Sequence, residues 1–172
     1  MTTTYTDNIG SMPNDSASTT IGLISDTHGL LRASVHAALK GVDLILHAGD
    51  VGGDEILEEL RIIAPVQAVY GNTDEADDPG LSQEIVVPAG GIHIHVSHGH
   101  ELGAPTVERL LAAYPQEVLV YGHTHRQLVT RADGRLVVNP GAAGPKRFDL
   151  TPSVARLTIN NGVAEVVIVP ID

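Results

Sequence analysis

The chain has 172 residues and is 42% hydrophobic, enough for one domain with a real core, and its aromatic content is only 3%, so that core has to be aliphatic. A net charge of -11 argues against a surface that coats nucleic acid, which needs clustered Lys and Arg, although a local site can oppose the global sign. With no cysteine there is neither a disulfide framework nor a thiolate metal site, so any metal must be held by imidazole, carboxylate and amide oxygen.

Residues 1–19 are polar and rich in Ser and Thr, with neither a basic start nor an apolar centre. They read as a disordered extension rather than a secretory signal, and residues 20–172 as the folded domain. No apolar run is long enough to cross a bilayer, and the expected location is the cytoplasm. Ile21 to Ser25 is a first strand, ending in Asp26-Thr27-His28-Gly29. Leu31, Val35 and Leu39 recur as on one helical face, with Gly41 as a stop. Leu44 to Ala48 is a second strand, ending in Gly49-Asp50. Ile56, Leu57, Leu60 and Ile63 form a second helix, opened by Asp54 and closed before Pro65. Val66 to Tyr70 is a third strand, ending in Gly71-Asn72-Thr73-Asp74. The β-α-β-α-β order implies parallel strands with helical crossovers.

A hairpin follows, from Glu84 to Pro88 and from Ile92 to Ser97, and its second arm ends in His98-Gly99-His100. Val107, Leu110, Leu111 and Tyr114 mark a third helix. Val118 to Tyr121 reads as a buried parallel strand and ends in Gly122-His123-Thr124-His125. From Gln127 onward the pattern is antiparallel, with turns at Ala132-Asp133-Gly134 and Asn160-Asn161-Gly162. Two face-to-face sheets with helices outside are expected. The polar clusters all follow strands, where open α/β sheets bind ligands.

The converging candidates are Asp26, His28, Asp50, Asn72, His98, His123 and His125. A set this rich in oxygen and nitrogen suits a pair of first-row divalent cations better than calcium or magnesium. Two such cations bring four positive charges and the two aspartates remove two, so the site would attract a phosphoester. Singly, each residue has a plainer reading. Asp26 and Asp50 could cap helices, and Asn72 could be a turn residue. His36 reads as a helix residue away from any strand end, and His47 as a core residue or a support behind the candidates. His93 and His95 alternate with Ile92, Ile94 and Val96, which predicts a solvent-facing pair. Asp74 could orient a histidine or serve a turn. Arg147 could reach a phosphate, but a solvated loop arginine is the preferred reading.

Taken in order, Asp-x-His, Gly-Asp, Gly-Asn-x-Asp, His-Gly-His and Gly-His-Thr-His, each after an apolar run, resemble the calcineurin-like metallophosphoesterase superfamily. Within it, the chain is similar to the small single-domain phosphodiesterases of the YfcE and Vps29 type. The resemblance implies an α/β/β/α sandwich of two mixed β-sheets flanked by helices, with a dinuclear site. It implies that Asp26, His28 and His125 hold one cation, Asn72, His98 and His123 the other, and that Asp50 bridges them. Manganese is the first expectation, with iron, nickel, cobalt and zinc as alternatives. The implied activity is hydrolysis of a small phosphoester by hydroxide shared between the metals, with Asp50, Asn72 and His100 in the catalytic set. For His100 that means phosphate contact or proton delivery, with a structural role as the alternative. Asn139-Pro140-Gly141 matches the family's Asn-Pro-Gly segment. Many members carry histidine where Thr73 stands, and threonine lacks a pKa matched to proton donation, which favours diesters or activated leaving groups. The rival implied by the same resemblance is a non-catalytic scaffold for protein partners. The sequence leaves the oligomeric state open, a homo-oligomer included.

Overall fold

The computed structural model describes residues 18–172. Nearly all of the extension inferred from the sequence therefore lies outside the described residues, while Thr19 opens the first strand. Two five-stranded mixed sheets face each other. The first has the order β10-β9-β1-β2-β3, from β1 (Thr19–Ile24), β2 (Leu44–His47), β3 (Val66–Ala68), β9 (Ser153–Asn160) and β10 (Val163–Pro170). The second has the order β4-β5-β6-β8-β7, from β4 (Glu84–Ala89), β5 (Ile92–Ser97), β6 (Val118–Val120), β7 (Leu128–Ala132) and β8 (Arg135–Asn139). Three short helices, α1 (Ser34–Ala38), α2 (Asp54–Arg61) and α3 (Val107–Ala113), cover the outer faces.

Strand alternation builds the layers. Val118 and Val120 of β6 enter the core between the sheets with Ile21, Leu23, Ile94 and Leu157, while Leu119 between them packs outward against Leu110 of α3. Val35, Leu57 and Leu60 seal the first sheet from the other side against Ile45. The result is the expected α/β/β/α sandwich.

The first helix is shorter than its periodicity suggests: Leu31 still packs on the core, but only Ser34–Ala38 is helical. The C-terminal half is also not purely antiparallel. β7 and β8 form the expected hairpin, yet β8 lies parallel to β6, with Val120 opposite Val138. Burial selects the inner arm: β8 carries Leu136-Val137-Val138, buried on both faces, whereas β7 alternates and stays at the edge. The same logic places β9 beside β1 and leaves β10 outside.

Candidate metal centre

The carboxyl ends of β1, β2, β3, β5 and β6 meet at one rim of the sandwich, and each delivers its polar cluster there. The backbone in these turns is unusual. Among the described residues eight non-glycines have positive φ, and five of them are Asp26, His28, Asp50, His123 and His125. The left-handed region costs an L-residue about 1–2 kcal/mol. Strain of this kind persists where surrounding structure enforces it, and it marks functional sites. Close backbone approach enforces it here. A Cβ on Gly122 would lie 2.0 Å from Ser25 Oγ and 2.7 Å from Asp26 Oδ2, and one on Gly71 would lie 2.0 Å from Asp50 Oδ1. These glycines let the strand ends touch the carboxylates.

All seven candidates come together. His125 Nε2 is 3.1 Å from Asp26 Oδ1, and His28 Nε2 is 3.3 Å from His125 Nε2. On the other side His98 Nε2 is 3.1 Å from Asn72 Oδ1 and 3.3 Å from Asp50 Oδ2, and His123 Nδ1 is 3.1 Å from Asn72 Oδ1. Asp50 Oδ2 also lies 3.7 Å from His28 Nε2, so Asp50 stands between both groups. Asp26 does so as well, its Oδ1 being 3.8 Å from His28 and 3.9 Å from His98. Two donors about 2.1 Å from one cation and roughly 90–110° apart lie about 3.0–3.4 Å from each other. The shorter distances fall in that band.

Hydrogen bonding points the same way. Asp26 Oδ1 is buried without a hydrogen-bond partner, while Oδ2 accepts from Ser25 Oγ at 2.6 Å and from the His123 amide at 3.2 Å. His98 Nδ1 faces the Ala48 carbonyl at 2.7 Å and must donate to it, since a carbonyl only accepts. That leaves the Nε2 lone pair aimed at two oxygens, a repulsive arrangement unless a proton or a cation lies between. Burial works to push the His98 pKa down, but the Asp50 bond and the Asp26 charge outweigh it and raise it. Burial likewise opposes ionisation of Asp26 and Asp50. For Asp26 the neighbouring imidazoles of His125 and His98 prevail; for Asp50 the His98 bond and the Thr73 amide, 2.9 Å away, do so. Both carboxyls titrate below their ordinary range, and the charged form is the one that holds a metal. The donor set therefore fits a pair of divalent cations.

His100 sits at the mouth, half-buried, its ring 5.3 Å from that of His98 and 6.3 Å from that of His123. Its turn is steadied by Glu101, which accepts the Gly99 amide at 2.8 Å and the Tyr114 hydroxyl at 2.8 Å. Asn139 donates to the Gly122 carbonyl and to Thr124 Oγ1, both at 3.0 Å, fixing the His-Thr-His turn.

Three further residues differ from, or sharpen, the sequence reading. Among the described residues Asp74 hydrogen-bonds no histidine; it accepts the amides of Val51, Gly52 and Gly71 at 3.0, 3.1 and 2.9 Å and clamps two loops together. His93 is solvent-facing, but His95 is not. It is 1% exposed, stacks on Tyr114 at 3.6 Å and reaches Glu84 at 2.9 Å, because α3 covers that face of β5. Alternation in the sequence cannot show which face a later helix will cover. His47 is a buried support. It accepts the Gly49 amide on Nδ1 at 3.1 Å, so Nε2 donates to Thr27 Oγ1 at 2.9 Å, and Thr27 donates to the Val51 carbonyl at 2.7 Å. This chain joins the Asp26–His28 loop to the Asp50 loop.

Comparison with known proteins gives the lineage. The model of the calcineurin-like phosphoesterase superfamily domain matches residues 20–162. The chain belongs to this superfamily. A probable metallophosphoesterase of Methanothermobacter thermautotrophicus is 35% identical over 158 residues, covering 80% of each chain. A phosphodiesterase of Methanocaldococcus jannaschii is 26% identical, over 70% of this chain and 82% of that one. Among solved structures, Vps29 of Entamoeba histolytica complexed with zinc is 27% identical, with a TM-score of 0.71 over 88% of this chain and 98% of that one. Metallophosphoesterase ancestry thus accompanies the clustered Asp and His donors. Among the described residues of this phosphoesterase domain, no helix is long and apolar enough to cross a membrane.

Proposed function

We propose that the protein is a metal-dependent phosphodiesterase that hydrolyses a small phosphoester. The observation that carries the reading is the convergence of seven donors from five strand ends, with Asp26 Oδ1 buried and unpartnered among them. Asp26, His28 and His125 would hold one divalent cation, Asn72, His98 and His123 a second, and Asp50 both. Manganese is the first candidate, with iron, nickel, cobalt and zinc as alternatives, since affinity order and metal availability both intervene. Such a pair supplies Lewis-acid polarisation of the phosphoryl oxygens and acidifies water toward neutral pH.

The rest is the work of the chain. A water oxygen bonds to phosphorus, the bond from phosphorus to the leaving oxygen breaks, and a phosphomonoester and an alcohol result. The Asn72 amide Nδ2 donates to a phosphoryl oxygen, while Asp50, set by the Thr73 amide and by the two loops that Asp74 clamps, would hold the cations in place. His100, at the mouth, holds a phosphoryl oxygen or returns a proton to the leaving oxygen. Thr73 presents no titratable group there, which favours diesters or activated leaving groups.

A second reading is a protein-interaction scaffold, favoured by the likeness to Vps29. Since that zinc-bound relative shares the fold, metal binding alone does not separate the two. Turnover does. Stripped protein reloaded with manganese, iron, nickel, cobalt or zinc one at a time is expected to bind about two equivalents by elemental analysis and to cleave diesters faster than alkyl monoesters. Full occupancy with no turnover of any phosphoester would leave the scaffold reading.

A further inference from the structure

The metal centre opens on one side into a cavity of about 130 Å³ lined by His123, Thr124, His125, Arg126, Arg147 and Phe148, with Leu150 at its edge. Three features of its wall go unused by the chemistry above. Arg32, Arg109, Arg131, Arg135 and Arg156 each donate from the guanidinium to a backbone carbonyl. Arg126 and Arg147 make no such bond among the described residues, and the ion pairs found there all join histidine to a carboxylate. Two guanidiniums without a hydrogen-bond or ion-pair partner among the described residues thus stand beside the proposed metal ligands. The third feature is Phe148, the chain's only phenylalanine. It is 89% exposed, and its φ is +53°, an outlier for a bulky side chain.

The wall is not a loose loop. The Ala143 and Gly144 amides donate to the carbonyls of Ser25 and Asp26 at 2.9 and 3.2 Å, Arg32 grips the Gly144 carbonyl at 3.1 Å, and the Leu150 amide closes a turn on the Arg147 carbonyl at 3.2 Å. Phe148 is thereby displayed at the cavity rim, its backbone strained and its ring in water. Strain and exposed aromatic surface at one position point to a ligand that covers the ring. Guanidinium forks match phosphate geometry, and a flat ring against Phe148 completes the pattern.

We propose that this cavity seats one arm of a nucleotide-type phosphodiester, its base stacked on Phe148 and a second phosphate held by Arg126 and Arg147. The assignment rests on the phosphodiesterase reading and narrows its substrate class. The cavity admits one phosphate-sized group beside the reacting one, with the base lying over the rim. Three of the ten basic residues, Arg126, Lys146 and Arg147, line this side, too few to track a polymer backbone, which restricts the class to short nucleotide esters.

The test is calorimetric titration of the full, manganese-loaded chain with adenosine 3′,5′-bisphosphate, adenosine 5′-monophosphate and base-free ribose 5-phosphate. Wild type should bind the bisphosphate about tenfold or more tighter than the monophosphate, as charge-assisted bonds imply. Arg147→Gln and Arg126→Gln should erase most of that preference. Phe148→Ala should cut the advantage of adenosine over base-free phosphate by roughly five- to hundredfold, the span of one base–aromatic stack. Arg61→Gln, which removes an unengaged guanidinium elsewhere, should change neither ratio. Equal affinities in wild type, or a loss reproduced by Arg61→Gln, overturns the proposal. Turnover of phosphodiesters, read separately, keeps the two readings apart: nucleotide binding without cleavage sinks the reaction, and cleavage without nucleotide preference sinks the subsite.

Discussion

His47 gives the sharpest quantitative test of how the site is supported. It is 0% exposed, and burial pushes its pKa from 6.5 down to about 4, against the pull of Asp26, Asp74 and Asp50. The neutral ring is the useful one: Nδ1 must accept from Gly49 while Nε2 donates to Thr27. Between these two pKa values the unfolded chain holds a proton that the folded chain refuses. Stability then rises with pH, by up to about 1.4 kcal/mol per pH unit from this one group. Acidifying from pH 7.5 to below 4 removes a total of about 3 kcal/mol, the 2.5-unit difference converted at 1.36 kcal/mol per unit. For a domain of this size that is roughly 3–6 °C in melting temperature for each pH unit on the steep part of the curve. Gln at position 47 keeps a donor near Thr27 but has no proton to gain. The assay is thermal unfolding of metal-free wild type and His47→Gln from pH 4 to 8, followed by circular dichroism. Metal-free protein is used because cation binding to the other histidines brings its own pH dependence. The pH effects of Asp26, Asp50, His28, His98 and His123 are common to both proteins and cancel in the difference. The wild-type advantage should shrink by about 3 kcal/mol between pH 7.5 and 4. Parallel curves would show that His47 is not kept neutral by the fold, and the directed bonds through Thr27 would have to be redrawn.

Asp50→Asn should lower metal content clearly below that of wild type, because the proposed shared ligand loses its charge while keeping its shape; elemental analysis showing wild-type content with full activity would refute the shared role. Gly122→Ala should cost about 1–3 kcal/mol in a urea titration and reduce metal retention, since its Cβ would meet Ser25 and Asp26 at 2.0 and 2.7 Å. An unchanged midpoint would mean that the turn relaxes freely. Thr73→His should raise kcat/KM on alkyl monoesters relative to aryl diesters, by less than the 10²–10⁴-fold typical of a positioned proton donor, because nothing holds the new ring. A constant ratio at matched metal occupancy would show that position 73 does not set the preference.

The sandwich and its rim were legible because each strand end repeats one device: an apolar run and then Asp, Asn or His, with a glycine between them at Gly49, Gly71 and Gly122. Local pattern carries that much, since a buried parallel strand has to be apolar on both faces and its carboxyl end is where polar groups can gather. Three things escaped it, and each depends on a neighbour far away in sequence. His95 and the solvent-facing His93 occupy similar places in the alternation, and only the arrival of Tyr114 from α3 makes one of them buried. β8 resembles one arm of a simple hairpin until β6 becomes its parallel partner. Asp74 stands in a Gly-Asn-Thr-Asp run that allows a histidine-orienting role or a turn, yet its carboxylate staples the backbones of Val51, Gly52 and Gly71. The seven candidate donors were readable because a ligand must be Asp, Asn or His, whereas the groups that hold them are largely backbone amides and carbonyls, which every residue carries. Ala48 orients His98 through its carbonyl, and Thr73 fixes Asp50 through its amide. Thr73→Ser, which keeps both the amide and the hydroxyl beside Asp50, should therefore spare the site, while a glycine-to-alanine change at Gly71 or Gly122 disrupts it. Thus the most sensitive positions in this rim include residues with no functional side chain at all, Gly71 and Gly122.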